Sequence, residues 1–212
     1  MHGVEIGWTG GAAIVEHRPV PQAELHTPRI ALVPLSDEHL EYEIELDAEP
    51  EVMRYLGSGE PRARAEVERL HGRRMAAAER VGGLGFWVGF VDGDFVGWWL
   101  LTPPDRPDQG PVVGQGELGY RLLPRYWRKG LASEGARELI RHGFADLGLT
   151  RIFAETMAVN AASRATMNSV GLEYVRTFEQ HWEKPIPGSE HGEVEYAITR
   201  ERWLALRDKV IG

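Results

Sequence analysis

"LLPRYWRKGLASEGARELIRHGF", residues 122–144, decides how this chain is read. It begins as the apolar end of a strand and finishes as an amphipathic helix. Ala132, Ala136, Leu139, Ile140, Phe144 and Leu147 fall on one side of that helix, and Gly148 is placed to end it. Between strand and helix lie a proline, three cations (Arg125, Arg128 and Lys129), then Gly130 and Ala132. A helix N-terminus carries unpaired N–H groups and partial positive charge, and so suits a phosphate. Gly130 and Ala132 are small enough to let a bulky anion approach, the three cations would offset its charge, and Ser133 adds a hydroxyl. Two other phosphate cradles do not fit. The lysine precedes the glycine with no Lys-Ser pair downstream, so there is no P-loop, and no Gly-x-Gly-x-x-Gly is present. A solvated charged loop would carry the same residues.

The island is conspicuous because the chain is acidic, with a net charge of −8 over 212 residues. That balance argues against broad nucleic-acid binding, and a basic cluster of Arg121, Arg125, Arg128 and Lys129 within it suggests a small anionic ligand. Hydrophobic residues at 42% and charged residues at 26% allow one substantial core. No apolar run is long enough to cross a bilayer, and the N-terminus lacks the pattern of a signal peptide. The absence of cysteine excludes disulfides, thiolate metal sites and a covalent Cys intermediate, and agrees with a cytoplasmic location. The histidines show no metal-ligand spacing, so no metal site is expected.

Residues 1–27 lack periodicity and read as an N-terminal extension, with a hairpin as one form; residues 28–208 read as the domain. "RIALVPL" from Arg29 alternates as a strand, Ser36 suits a helix N-cap, and Pro50 and Pro61 each head a further helix. "GFWVGFVDGDFVGWWLL" is a hairpin about Asp92–Gly93. A Pro/Gly loop over residues 102–116 leads to the strand "GELGYRLLP" and then to the helix described above. "RIFAETMAV" is a strand, "AASRATMNSV" a helix stopped by Gly171, "LEYVRTFEQHW" a strand and "EVEYAIT" the last strand. The order predicts a single α/β domain on a mixed, mostly antiparallel sheet.

The segment Trp127-Arg128-Lys129-Gly130-Leu131-Ala132 resembles the pyrophosphate loop of the GNAT superfamily of acetyl-CoA-dependent N-acetyltransferases, (Gln/Arg)-x-x-Gly-x-(Gly/Ala). Trp127 departs from its first position. "YW" before the loop and "ASE" after it are similar to the RimJ/RimL-like branch, where a glycine is common at the place of Arg128. "NAASRATMNSVGLEYV" is similar to that branch's Asn-x-x-Ser segment, with Asn160, Ser163, Gly171 and Leu172 in register, and the resemblance covers roughly residues 27–205. It implies a GNAT-like fold with a splayed pair of parallel strands, acetyl-CoA as co-substrate, and attack of an amine on the thioester through a tetrahedral intermediate.

Carried onto this chain, the resemblance places the diphosphate on the N–H groups of Arg128, Lys129, Gly130, Leu131, Ala132 and Ser133. The pantetheine arm falls to the backbone of Leu122 and Leu123 and to Asn160, which with Ser163 also forms an ordinary helix N-cap. Glu117 matches the glutamate many relatives use as general base, though by alternation it is equally a solvent-facing strand residue; Glu155 on the adjacent strand is the second candidate. Met167 stands where many relatives carry a proton-donating tyrosine, so no general acid is named. Trp98 and Trp99 point to opposite faces, one to the core and the other either to packing or to the wall of an acceptor pocket. The loops 102–116 and 183–192 would border that pocket, and Asp105, Asp108, Glu190 and Glu193 are acids there, able to attract a cation or simply solvated. The acceptor is a protein N-terminal α-amine or a small-molecule amine. A non-catalytic acyl-CoA-binding module is the alternative, and homodimerisation is left open.

Overall fold

The computed structural model describes residues 21–180, 182 and 184–211. The expected extension falls largely on residues 1–20, outside the described residues. Its end does not: β1 (Leu25–His26) pairs with β2 (Ala31–Pro34) and forms the edge of the sheet. Two helices, α1 (Leu40–Asp47) and α2 (Pro50–Met53), are followed by α3 (Arg64–Arg80). The hairpin about Asp92–Gly93 is β3 (Gly85–Val91) and β4 (Asp94–Thr102), and β5 spans Gln115–Leu122. Then come α4 (Leu131–Arg141), β6 (Arg151–Met157), α5 (Ala161–Ser169), β7 (Glu173–Phe178), β8 (Glu193–Thr199) and α6 (Arg200–Ile211). The sequence reading did not anticipate α6. The helix after β5 also differs in form: regular winding stops at Arg141 and one π turn, His142–Asp146, completes it. A Cβ at Gly143 would press on Ile152 and Leu101, so this turn lies tightly on the sheet.

The eight strands run in the order β1-β2-β3-β4-β5-β6-β8-β7, antiparallel except for β5 and β6. That parallel pairing is short: Gln115, Gly116 and Glu117 face Arg151, Ile152 and Phe153, and there it ends. Beyond Glu117, β5 stays paired with β4 while β6 follows β8, so the two strands part in a V.

Each face of the sheet carries its own apolar core. Trp99, Leu118, Leu122, Ala136, Leu139, Ile140, Phe144 and Met167 belong to the core under α4 and α5. Trp98, Val88, Phe95, Leu46 and Leu123 belong to the core under α1 and α2. The adjacent tryptophans therefore do point to opposite faces, but both are core residues, and Trp98 is no pocket wall. Trp99 lies between Gly89 and Gly135, where a Cβ at either would collide with its indole, and its Nε1 donates to the Ala132 carbonyl at 3.1 Å. The start of α4 is thus pinned to the sheet at the turn singled out in the sequence.

On the opposite face, Asp47 is fully buried and accepts from Arg62 at 2.8 Å, Arg74 at 3.0 Å and Arg121 at 2.8 Å. Burial alone would push its carboxyl up, but Arg121, Arg74 and Arg62 hold it below the ordinary range. Glu43 beside it accepts from Arg74 and pairs with His71, and Arg121 stacks over Trp98 at 4.7 Å. This network ties α1, α3, β5 and the segment after α2 together.

Candidate active site

The structure divides the basic island. Arg121 is committed to Asp47, and Arg125 pairs with Glu45 of α1 at 2.9 Å, so neither serves the turn. Arg128 and Lys129 are exposed at it, with the Lys129 ammonium 5.2 Å over the Tyr126 ring. A cation the sequence did not offer replaces Arg125. Arg29, a hundred residues upstream, donates to the Lys129 carbonyl at 2.9 Å and is held by Glu134 in the first turn of α4. Thr27 donates to the same carboxylate at 2.6 Å.

The backbone of the turn is left-handed at Arg128 (φ 58) and at Gly130 (φ 78). The first value explains why glycine is common at the place of Arg128 in the resembled branch: a non-glycine residue there costs roughly 1–2 kcal/mol. Among the described residues no backbone acceptor or side-chain cap is recorded for the N–H groups of Arg128 through Ser133; the first helical bond runs from Glu134 to the Gly130 carbonyl. A Cβ at Gly130 would meet nothing closer than an Arg29 nitrogen at 3.5 Å, so the space before these donors is open to a bulky anion. Geometry, charge and free donors all fit a diphosphate.

Leu122 and Leu123 end β5 beside this turn. The Leu123 N–H is bonded to Val96, and the Leu122 carbonyl accepts from the Trp127 indole at 2.6 Å. Trp127, irregular in the family pattern, thus locks strand to loop. Asn160 caps α5, accepting from the Ser163 N–H at 3.2 Å, and its amide donates to Thr156 at 3.1 Å. Tyr120 reaches across the V to the Ser163 carbonyl at 3.1 Å. Met167 is buried in the core under α4 and α5.

On the other face the V opens into a cleft of about 520 Å³, bordered by the turn after α2 (Tyr55 to Ser58), by Arg106, Glu117 and Glu155, and by Trp182 and Glu193. Glu117 is the last residue of the parallel pairing, so its side chain sits at the mouth of the V. Burial first, then the charges of Glu155 and Asp105, push its carboxyl up to about 7, against the pull of Gln109 and Arg106. Glu117 is half-buried: the loop after β4 reaches this face through Gln109, and the side chain opens onto the cleft. The short helical turn Pro107–Gln109 within that loop brings a buried Gln109, whose Nε2 donates to Glu117 at 3.1 Å and to Glu155 at 3.2 Å. Arg106 grips both oxygens of Glu155, at 2.7 and 3.0 Å, and Asp108 pairs with Arg176 at 3.2 Å, which latches the loop down.

The sequence identified Glu117 and Glu155 but not Gln109 or Arg106, which lie in a loop without periodicity. Of the loop acids, Glu190 is exposed, Asp108 is ion-paired, and Glu193 begins β8 and is buried.

The chain matches the model of the acetyltransferase (GNAT) domain over residues 29–173, and it belongs to this family. It is 45% identical over 188 residues, 88% of this chain and 80% of the other, to the FsC-acetyl coenzyme A-N(2)-transacetylase of Aspergillus fumigatus. Among solved structures it resembles RimL, a ribosomal L7/L12 alpha-N-protein acetyltransferase in complex with coenzyme A (TM-score 0.69, 15% identity, 82% of this chain and 95% of that one). It also resembles an aminoglycoside acetyltransferase in complex with coenzyme A (TM-score 0.68, 17% identity, 84% and 99%). The chain is thus an acetyltransferase of GNAT fold that acts with acetyl-CoA. Neighbours of such different acceptors on one fold show that the fold does not select the amine.

Proposed function

We propose that the chain moves the acetyl group of acetyl-CoA onto a primary amine of a small molecule; its fungal relative is named as an FsC-acetyl coenzyme A-N(2)-transacetylase. The observation that carries this reading is Glu117 placed where β5 and β6 part, lining the cleft on the face of the sheet opposite α4. The flanks of the loop support the RimJ/RimL-like branch as its place within the family.

In this reading the N–H groups from Arg128 to Ser133 hold the diphosphate, with Arg29, Arg128 and Lys129 balancing its charge. Leu122, Leu123, Asn160 and Ser163 border the path of the pantetheine arm. Acetyl-CoA supplies an activated thioester; the new N–C bond forms as the C–S bond breaks. An amine that arrives as an ammonium loses two protons. One leaves through Glu117 to solvent, and the other ends on sulfur as the free thiol. A carboxyl near 7 matches the first task, since a general base works best close to the operating pH. Glu155, clamped by Arg106, acts through its charge and holds Glu117 in that range; it is a positioning residue. Thiol release from acetyl-CoA, with FsC and a panel of alkyl amines as acceptors, tests the proposal. Turnover with a small amine is expected. Tight CoA binding without thiol release in the presence of any amine would overturn it.

A further inference from the structure

Four acidic residues face the acceptor side of the sheet: Glu117 on β5, Glu155 on β6, and Glu193 and Glu195 on β8. Their surroundings differ. Glu195 is buried between Arg151 and Arg176, bonded to both. Glu155 has Arg106 and Gln109. Glu117 has Gln109, and no ion pair is recorded for it among the described residues. Glu193 is 5% exposed and lines the cleft, yet among the described residues it has neither a hydrogen bond nor an ion pair. Its place in the register is definite. Glu193 faces Met157 and Glu155 faces Glu195, so Glu155 and Glu193 are diagonal neighbours on one face.

A carboxyl that opens only onto a cleft, largely shielded from bulk water and unpaired among the described residues, is disfavoured when charged, and it is relieved by a proton or by a cation that enters from outside. The cations facing it do not supply one. Arg106, from the loop after β4, is spent on Glu155 and Asp108. Lys184, at the rim after β7, is exposed and forms no ion pair recorded among the described residues. From the remaining elements Glu155 and Glu117 add negative charge, and Glu190 and His191 face each other at the surface. Burial first, then Glu155, push the Glu193 carboxyl up to about 7, against Arg106.

Resting on the acetyl-transfer reading above, we infer that Glu193 is a second carboxylate of the acceptor site, which with Glu117 receives the amine as an ammonium, so that the acceptors are basic alkyl amines protonated in solution. The two residues divide the work. Glu193 binds the cation, and Glu117 takes its proton. The sequence had offered Glu193 as a loop acid; its place at the start of β8, lining the cleft and unpaired among the described residues, gives it this role.

Steady-state kinetics of the full chain with an alkyl amine, comparing the wild type with Glu193→Gln, test the inference. The variant is expected to raise KM for the amine about tenfold or more while kcat changes little, the mark of lost ground-state binding. The acid limb of its kcat/KM profile should fall with one ionisation fewer than in the wild type. CoA affinity should be unchanged. A second readout needs no turnover: removing a charge shielded from bulk water and set beside Glu155 should raise the thermal midpoint of Glu193→Gln above the wild type at pH 8 but not at pH 5. An unchanged KM and acid limb in the variant, with an active wild type, would overturn the inference, as would a lowered midpoint at pH 8. A wild type that acetylates no amine would overturn the acetyl-transfer reading itself, and the inference with it.

Discussion

Two clusters of buried acids lie on the same side of this sheet, and they are built on opposite terms. Around Asp47, every carboxylate is matched: Arg62, Arg74 and Arg121 converge on it, and Glu43 has Arg74 and His71. In the cleft further along the same face, Glu117 and Glu193 have no ion pair among the described residues, and both carboxyls stand near 7. Asp47 is held below its ordinary value although it is the more deeply buried. Depth alone therefore does not mark a functional acid. What separates the clusters is compensation: a satisfied charge fixes structure, and an unsatisfied one is available to a ligand.

The largest expected effect is on the satisfied side. Asp47→Ala leaves three arginines facing one another in the interior and should lower stability by about 3–5 kcal/mol, the usual loss when one partner of a buried pair is removed. Urea unfolding measures it, and a loss below 1 kcal/mol would show that the network is solvated. At the helix N-terminus, Gly130→Glu adds a Cβ at a left-handed position and a negative charge before the free donors. Coenzyme A affinity, measured by calorimetry, should drop roughly a hundredfold, equivalent to two charge-assisted hydrogen bonds at about 1.5 kcal/mol each. Unchanged affinity would mean that the diphosphate is held elsewhere. The smallest effect sharpens the comparison within the cleft. Gln109→Leu removes a donor that favours the charged form of Glu117. The folded carboxyl then binds its proton more tightly, and the acid limb of kcat/KM should move to higher pH by about 0.4–1 unit, the worth of one such bond. A limb that stayed in place, or moved to lower pH, would remove Gln109 from the machinery.

Much of this was legible in the sequence, because local chemistry carries it. The Gly130 turn, the cap at Asn160 and the hairpin at Asp92–Gly93 are dictated by residues within a few positions of one another. Period-2 alternation also placed Glu117 and Arg121 on one face of β5. Alternation names a face but not what covers it. Glu193 and Glu195 alternate with Val194, Tyr196 and Ile198 as a half-exposed strand would, yet both are buried, Glu195 between Arg151 and Arg176 from the neighbouring strands. The same limit hid Arg29, which reaches the Gly130 turn only through the pairing of β1, β2 and β3. Arg125 was misread for the converse reason, since its neighbour in space is Glu45 on α1.

The pH dependence of kcat/KM for the wild type and Glu117→Gln bears most directly on the central claim, that the carboxyl where the strands part accepts the amine's proton. The wild type should lose activity as pH falls through about 7, because protonated Glu117 cannot act as a base. In Glu117→Gln, kcat should drop by about a hundredfold or more, within the range for losing a general base, and the ionisation belonging to Glu117 should vanish from the profile. A variant that kept the wild-type kcat and an unaltered acid limb would contradict the account.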